Sequence, residues 1–300
     1  MGIDPRVLSL VLAIAEHGTF NRAAKALGIS QPALSKKISL IERRLGAKLF
    51  ERGARGSTLT EAGTVIVRSA HNLHNILERA RKDIAAEPAR PTGALVVGAT
   101  PSMMLGLVPE ALTRLAKQQQ HLRITIVEGL DDQLTPALAR GELDLLIGPL
   151  EPLHAAPDGL TQEKLADESF GVGLAPGHRL AGHKKLRLAD LHEEPWILPT
   201  PGSSFHRTVE AMFMTAGLPW PSNFIQTNSL HTHEQLVLTT GRVALLTSAE
   251  LVSRRTDIRV VSLEGAPVRT IGVRRQAGML LPPLADRLLA CLRILATKLR

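Results

Sequence analysis

The residues best placed to do chemistry lie between Ser30 and Leu45, in the stretch SQPALSKKISLIERRL. Plotted at about 100° per residue, Pro32, Ser35, Lys36, Ser39 and Arg43 fall on one side, with the single acid of the stretch, Glu42, at their flank. Such a row offers hydroxyl, ammonium and guanidinium donors to an anionic surface and no group for proton transfer. The chemistry it implies is recognition. Covalent chemistry has little footing elsewhere, since no GxSxG, P-loop, dinucleotide fingerprint or HExxH occurs. Asp131 and Asp132 are paired carboxylates, but they fall in what reads as a helix-start loop, and no catalytic residue is expected. His71 with His74, and His231 with His233, lack a third ligand nearby, so no metal or cofactor is expected. Cys291, the single cysteine, lies in the apolar run LLACLRIL and reads as a packing residue; it excludes an internal disulfide and fits a reducing cytoplasm.

A helix must carry the polar row. Ser30 can cap it, Pro32 suits a first turn that needs no amide, and Gly46 can end it in the left-handed conformation. Leu34, Ile38, Ile41 and Leu45 form the apolar stripe that seats it on a core. Upstream, Asp4 and Pro5 start a first helix that runs through Val7, Leu10, Val11 and Ile14 to Gly18. Thr19 caps a shorter one through Phe20, Ala23, Ala24 and Leu27, ended by Gly28. Two short helices joined by a glycine turn make a helix-turn-helix. Strand-like pieces around Gly53–Ser57 then add a β-wing, so residues 1–60 read as a mainly α winged helix-turn-helix.

From 61 to 87 the chain has no proline, and Ile66, Ala70, Leu73, Leu77, Ala80 and Ile84 recur at heptad steps. That narrow seam predicts a coiled-coil helix that pairs two chains. Residues 88–93, with two prolines and a glycine, read as a hinge. Beyond it, from 94 to 300, apolar strands alternate with helices, as in βαβ units, and two α/β lobes with a cleft between them are expected, the second lobe at roughly 163–265. The formal charge of +8 is concentrated in the first part: residues 1–90 hold 15 Lys and Arg against 8 Asp and Glu, and residues 91–300 hold 21 against 20. A local positive field of this kind suits a polyanion, and nucleic acid leads the candidates. With no apolar run long enough for a membrane span and no export signal, a soluble cytoplasmic protein is expected, with no membrane partner.

Phe20-Asn21-Arg22-Ala23-Ala24, Leu27, Ser30-Gln31-Pro32-Ala33-Leu34-Ser35, Ile38, Leu45-Gly46, Leu49-Phe50, Arg52 and Leu59-Thr60-Glu61-Ala62-Gly63 resemble the N-terminal signature of LysR-type transcriptional regulators. The likeness is dense over about the first 65 residues. Later it is one of layout, with Leu138–Gly148 (LARGELDLLIG) the one local stretch that also looks like the family. The resemblance implies a two-lobed effector domain similar to periplasmic solute-binding proteins, and a dimer of dimers, a homotetramer, on double-stranded DNA near a promoter. It also implies a small molecule in the cleft and, for an activator, RNA polymerase as a partner. A free-standing solute-binding protein is the rival reading of the lobes alone, disfavoured by the basic winged helix.

Carried over by position, the groove-reading residues are Gln31, Pro32, Ser35 and Lys36, with Ser39 on the same face. Ser30, Lys37, Arg52 and Arg55 suit phosphates, which orient the protein without reading sequence. Ligands in open α/β sheets gather in loops after strands. Thr100 and Ser102, Ser203 and Ser204, and Thr227 and Asn228 each stand where such a loop enters a helix. Helix starts of this kind suit an anionic effector.

Overall fold

A computed structural model describes residues 5–53, 56–85, 94–150, 159–247 and 257–297. The chain forms two compact units, the first built on residues 1–88, the second on 89–138 and 143–300. In the first unit, helices α1 (Pro5–His17), α2 (Phe20–Ala26) and α3 (Gln31–Leu45) precede an antiparallel hairpin of β1 (Phe50–Gly53) and β2 (Gly56–Leu59), and α4 (Glu61–Ala85) follows. Val11, Ile14, Phe20, Ala23, Leu34, Ile38, Ile41 and Leu49 are its core, against which Ile66 and Val67 of α4 pack. Thr19, Ser30 and Gly46 cap as their residue types demand, while the expected cap Asp4 lies outside the described residues. Ser30 Oγ accepts from the Ala33 amide at 3.4 Å, and Gly46 ends α3 at φ 67°.

Two side chains of α3 depart from the wheel. Leu45, expected in the apolar stripe, is exposed, because it belongs to the last turn, where the helix has run past the core. Glu42, expected on the polar flank, is buried at 8% exposure. Its carboxylate accepts from Lys48 Nζ at 2.8 Å and from the amides of Leu49 at 2.9 Å and Phe50 at 3.5 Å. Burial opposes its ionisation, but the hydrogen bonds from Lys48, Leu49 and Phe50 outweigh that and hold its pKa below the ordinary value. The acid thus ties α3 to the start of β1.

The second unit contains two sheets. The first has the order β4 (Ile124–Glu128), β3 (Leu95–Ala99), β5 (Leu145–Pro149), β13 (Arg269–Gln276), β6 (Leu160–Glu168), with β3 parallel to β4 and β5, and β13 antiparallel to its neighbours. Helices α5 (Pro101–Leu105), α6 (Leu107–Gln118) and α7 (Asp131–Ala139), and the closing α10 (Pro283–Ala296), accompany it. The second sheet has the order β10 (Phe224–Gln226), β9 (Trp196–Leu198), β11 (Val243–Thr247), β7 (Phe170–Leu174), β12 (Arg259–Leu263), β8 (Lys185–Leu186), with α8 (Ser204–Thr215) and α9 (Leu230–Thr240).

The chain passes between the sheets twice, at Ser169 and over 264–268. The second lobe therefore begins at Phe170 rather than near 163, because β6 pairs with β13 in the first sheet. At the crossings Arg269 lies opposite Glu168 in the ladder, and the two form a buried ion pair. The guanidinium carbon of Arg269 also lies 5.6 Å and 5.5 Å from the ring centres of Phe170 and Phe205. One residue of the first sheet is thus anchored on side chains of the second.

Candidate DNA-reading helix and ligand cleft

On α3, Pro32, Lys36 and Lys37 are exposed, while Gln31, Ser35 and Ser39 are half-buried. Gln31 Nε2 donates to Ser35 Oγ at 2.9 Å, one helical turn apart. The bond lays the Gln31 amide along the helix beside Ser35, so these two side chains act as a unit. Ser30 is spent on capping but stays exposed. Arg43 Nε turns back to the Ser39 carbonyl at 3.4 Å. Arg55, and the hinge at 88–93, lie outside the described residues, as do the side chains of Arg52, Ala80 and Ile84. Of the remaining seam on α4, Ala70 is buried, Ile66 and Leu73 are half-buried, and Leu77 is 58% exposed. Ile66 is occupied by the core of its own unit, whereas Leu77 and its neighbour Ile76 are open.

In the second unit, Thr100, Ser102, Ser203, Ser204, Thr227 and Asn228, drawn from loops and helix starts of both lobes, line one small cavity of about 40 Å³. That is room for little more than a water molecule. Most of these polar groups already have work. Ser203 Oγ caps α8 by accepting from the His206 amide at 3.0 Å, and Asn228 Oδ1 accepts from the Thr200 amide at 3.0 Å. Thr227 Oγ1 accepts from the Ser229 amide at 3.1 Å, and Ser102 Oγ from Arg269 Nη2 at 3.3 Å. Thr100 differs. It is only 4% exposed, and its Oγ1 finds no hydrogen-bond partner among the described residues.

Asp131, Phe205, His233 and Arg269 are among the further residues of this wall. Asp131 is the one sequence reasoning passed over most plainly, by weighing it only as half of an acid pair. Its Oδ1 accepts from Arg274 Nη2 at 2.9 Å, and its Oδ2 accepts from the Ser204 amide at 3.3 Å. The signal was present, because Asp131 opens a helix directly after a strand, the same criterion that selects Thr100. The pairing with Arg274, 143 residues later, has no local signature. A wider groove of about 1010 Å³ runs beside α8 over Leu150, Leu188, Met212 and Leu263. The buried polar groups gathered at the smaller cavity make it the stronger ligand candidate. Among the described residues no cluster of His, Cys, Asp and Glu suits a metal, and no helix is long and apolar enough to cross a membrane.

This arrangement agrees with what the chain is similar to. It matches the bacterial regulatory helix-turn-helix protein, lysR family, over residues 5–64, and the LysR substrate binding domain over residues 88–296. The chain belongs to the LysR family, DNA-binding transcriptional regulators that carry an effector-binding domain. HTH-type transcriptional regulator GalR of Pseudomonas putida is 29% identical over 98% of this chain and 74% of that protein. A full-length OxyR variant from Pseudomonas aeruginosa shares the fold at a TM-score of 0.64 and 24% identity, covering 98% of each chain. Full-length CbnR, solved with its target DNA, shares it at 0.55 and 22% identity, covering 98% of this chain and 100% of that one.

Proposed function

We propose that this regulator reads operator DNA with the outer face of α3, and that a small-molecule effector held between the two lobes of the second unit sets its activity. Gln31, Pro32, Ser35, Lys36 and Ser39 face bases, and Ser30, Lys37, Arg52 and Arg55 hold phosphates. Two chains pair through the exposed part of α4, and two such dimers form a homotetramer. The protein works in the cytoplasm without a catalytic step, and as an activator it would contact RNA polymerase. The observation that carries the effector half is the convergence of helix-start residues from both lobes on one cavity. A ligand there touches both lobes at once and so changes the angle between them.

Footprinting on the DNA flanking the protein's own gene, with and without candidate metabolites, tests this reading. The expected result is a protected, interrupted palindrome whose extent changes with one class of metabolite. Protection that no metabolite alters would remove the effector.

A further inference from the structure

Resting on the assignment of the interlobe cavity as the effector site, we propose that Asp131 is its specificity determinant. Its carboxylate is a resident anion at the start of α8, and it restricts the ligand to an uncharged, hydroxyl-bearing molecule that donates a hydrogen bond there.

The start of a helix presents free amides and the positive end of the peptide dipoles, and so by itself attracts an anion. At α8 that place is filled from within the chain. The Ser204 amide donates to Asp131 Oδ2 at 3.3 Å, and the His206 amide to Ser203 Oγ at 3.0 Å. Asp132 adds a second carboxylate at the same turn. Gly202 takes a left-handed φ of 95° there, and a Cβ on it would stand 2.5 Å from Asp132 Oδ2, so that carboxylate would have to shift.

Asp131 is not readily displaced, because Arg274 holds it from behind. Arg274 is 2% exposed, and its guanidinium is fixed by further bonds of 2.9 Å to Thr135 Oγ1 and to the Pro149 carbonyl. Removing Asp131 would leave that cation buried and uncompensated, a severe penalty. Arg269, the buried guanidinium that lines the cavity itself, is matched by Glu168. Each buried guanidinium thus already has a carboxylate partner, and neither is left unpaired for a carboxylate ligand. Such a ligand would bring a second negative charge beside Asp131 in a place of low dielectric. The buried Thr100 Oγ1 can accept or donate and lacks a partner among the described residues. Together with Asp131 it suits hydroxyl groups. The helix start alone suits an anion, as the sequence leads one to expect; the acid brought to it from the other lobe changes the ligand class.

Hydrogen exchange of the full chain, followed by mass spectrometry over the start of α8, tests this with sulfate as the probe and chloride at matched ionic strength as the reference. In the parent protein these amides should exchange slowly, with no response to sulfate. In Asp131→Ala they should exchange about tenfold faster or more, as expected for losing a hydrogen bond to a charged group. Sulfate should then restore the protection, because the freed Ser204 amide and the Arg274 guanidinium form an anion site. Asp131→Asn keeps an acceptor for Ser204 without the charge; it should retain the fold even if Asp131→Ala loses it, and it should also gain a response to sulfate. Equal protection by sulfate in parent and variants, no protection in any of them, or unchanged basal exchange in Asp131→Ala would each overturn the proposal. None of these readouts uses DNA or effector. A failure here is therefore distinct from a failure of the effector reading, which the footprint alone decides.

Discussion

Glu42 steadies the proposed reading helix from its inner side. It is the only acid on α3, and on the outer face it would repel phosphates; instead it turns inward and takes the amides that open β1. Lys48 is three-quarters exposed, so its pairing with Glu42 is screened, and the two amides are the more durable part of the arrangement. Because the folded protein lowers the pKa of Glu42, its stabilisation is fully present above the unfolded value and is lost as pH falls through the folded one. Glu42→Gln should destabilise the first unit by about 1–3 kcal/mol at neutral pH. The gap from the parent should close below about pH 4.5, the ordinary value for this group. Calorimetric unfolding across pH checks both the size and the sign. The caps Ser30 and Gly46 were legible in the sequence because their partners lie within one turn. Glu42 was not, because its partners lie six to eight residues on, at the entry to a strand whose position only the folded unit defines.

Among the elements, α4 is packed at home over one part of its length and open over another. Its early part belongs to the core of the first unit through Ile66 and Val67, and its middle leaves Ile76 and Leu77 exposed. A helix that exposes adjacent apolar residues beyond its own core has a surface suited to a second copy. Leu77→Glu should therefore convert the oligomer to monomer in sedimentation while leaving helix content unchanged. A parent protein that already sediments as a monomer would contradict the seam's role. Heptad spacing was readable from sequence because it is local, but spacing alone could not separate the part packed at home from the part left open. The same limit applies to strands. Apolar runs such as Ala94–Ala99 and Leu143–Ile147 announced β3 and β5, whereas β6, with the sequence LTQEKLADE, has no apolar run and is held by its pairing with β13.

The whole molecule consists of a helix-turn-helix unit and a unit whose two lobes are connected by two crossings and a buried pair, Glu168 with Arg269. The layout of lobes was legible from the alternation of strands and helices. The six helix-start residues were likewise legible as separate caps, and that they meet at one cavity follows from the strand order. Asp131, Arg269 and Arg274 escaped notice because their roles depend on partners far away in the chain. Sequence-specific reading by α3 remains the central claim, and selection of binding sites from random duplexes by the full chain tests it most directly. The parent protein should enrich one motif with two-fold related arms, as a dimer of reading helices demands. Gln31→Ala should still bind but change the preferred base at one position of each arm, by roughly 1–3 kcal/mol for a lost bidentate pair. No enriched motif from the parent, or an identical ranking of sites from the variant, would contradict the assignment of α3 as the element that reads sequence.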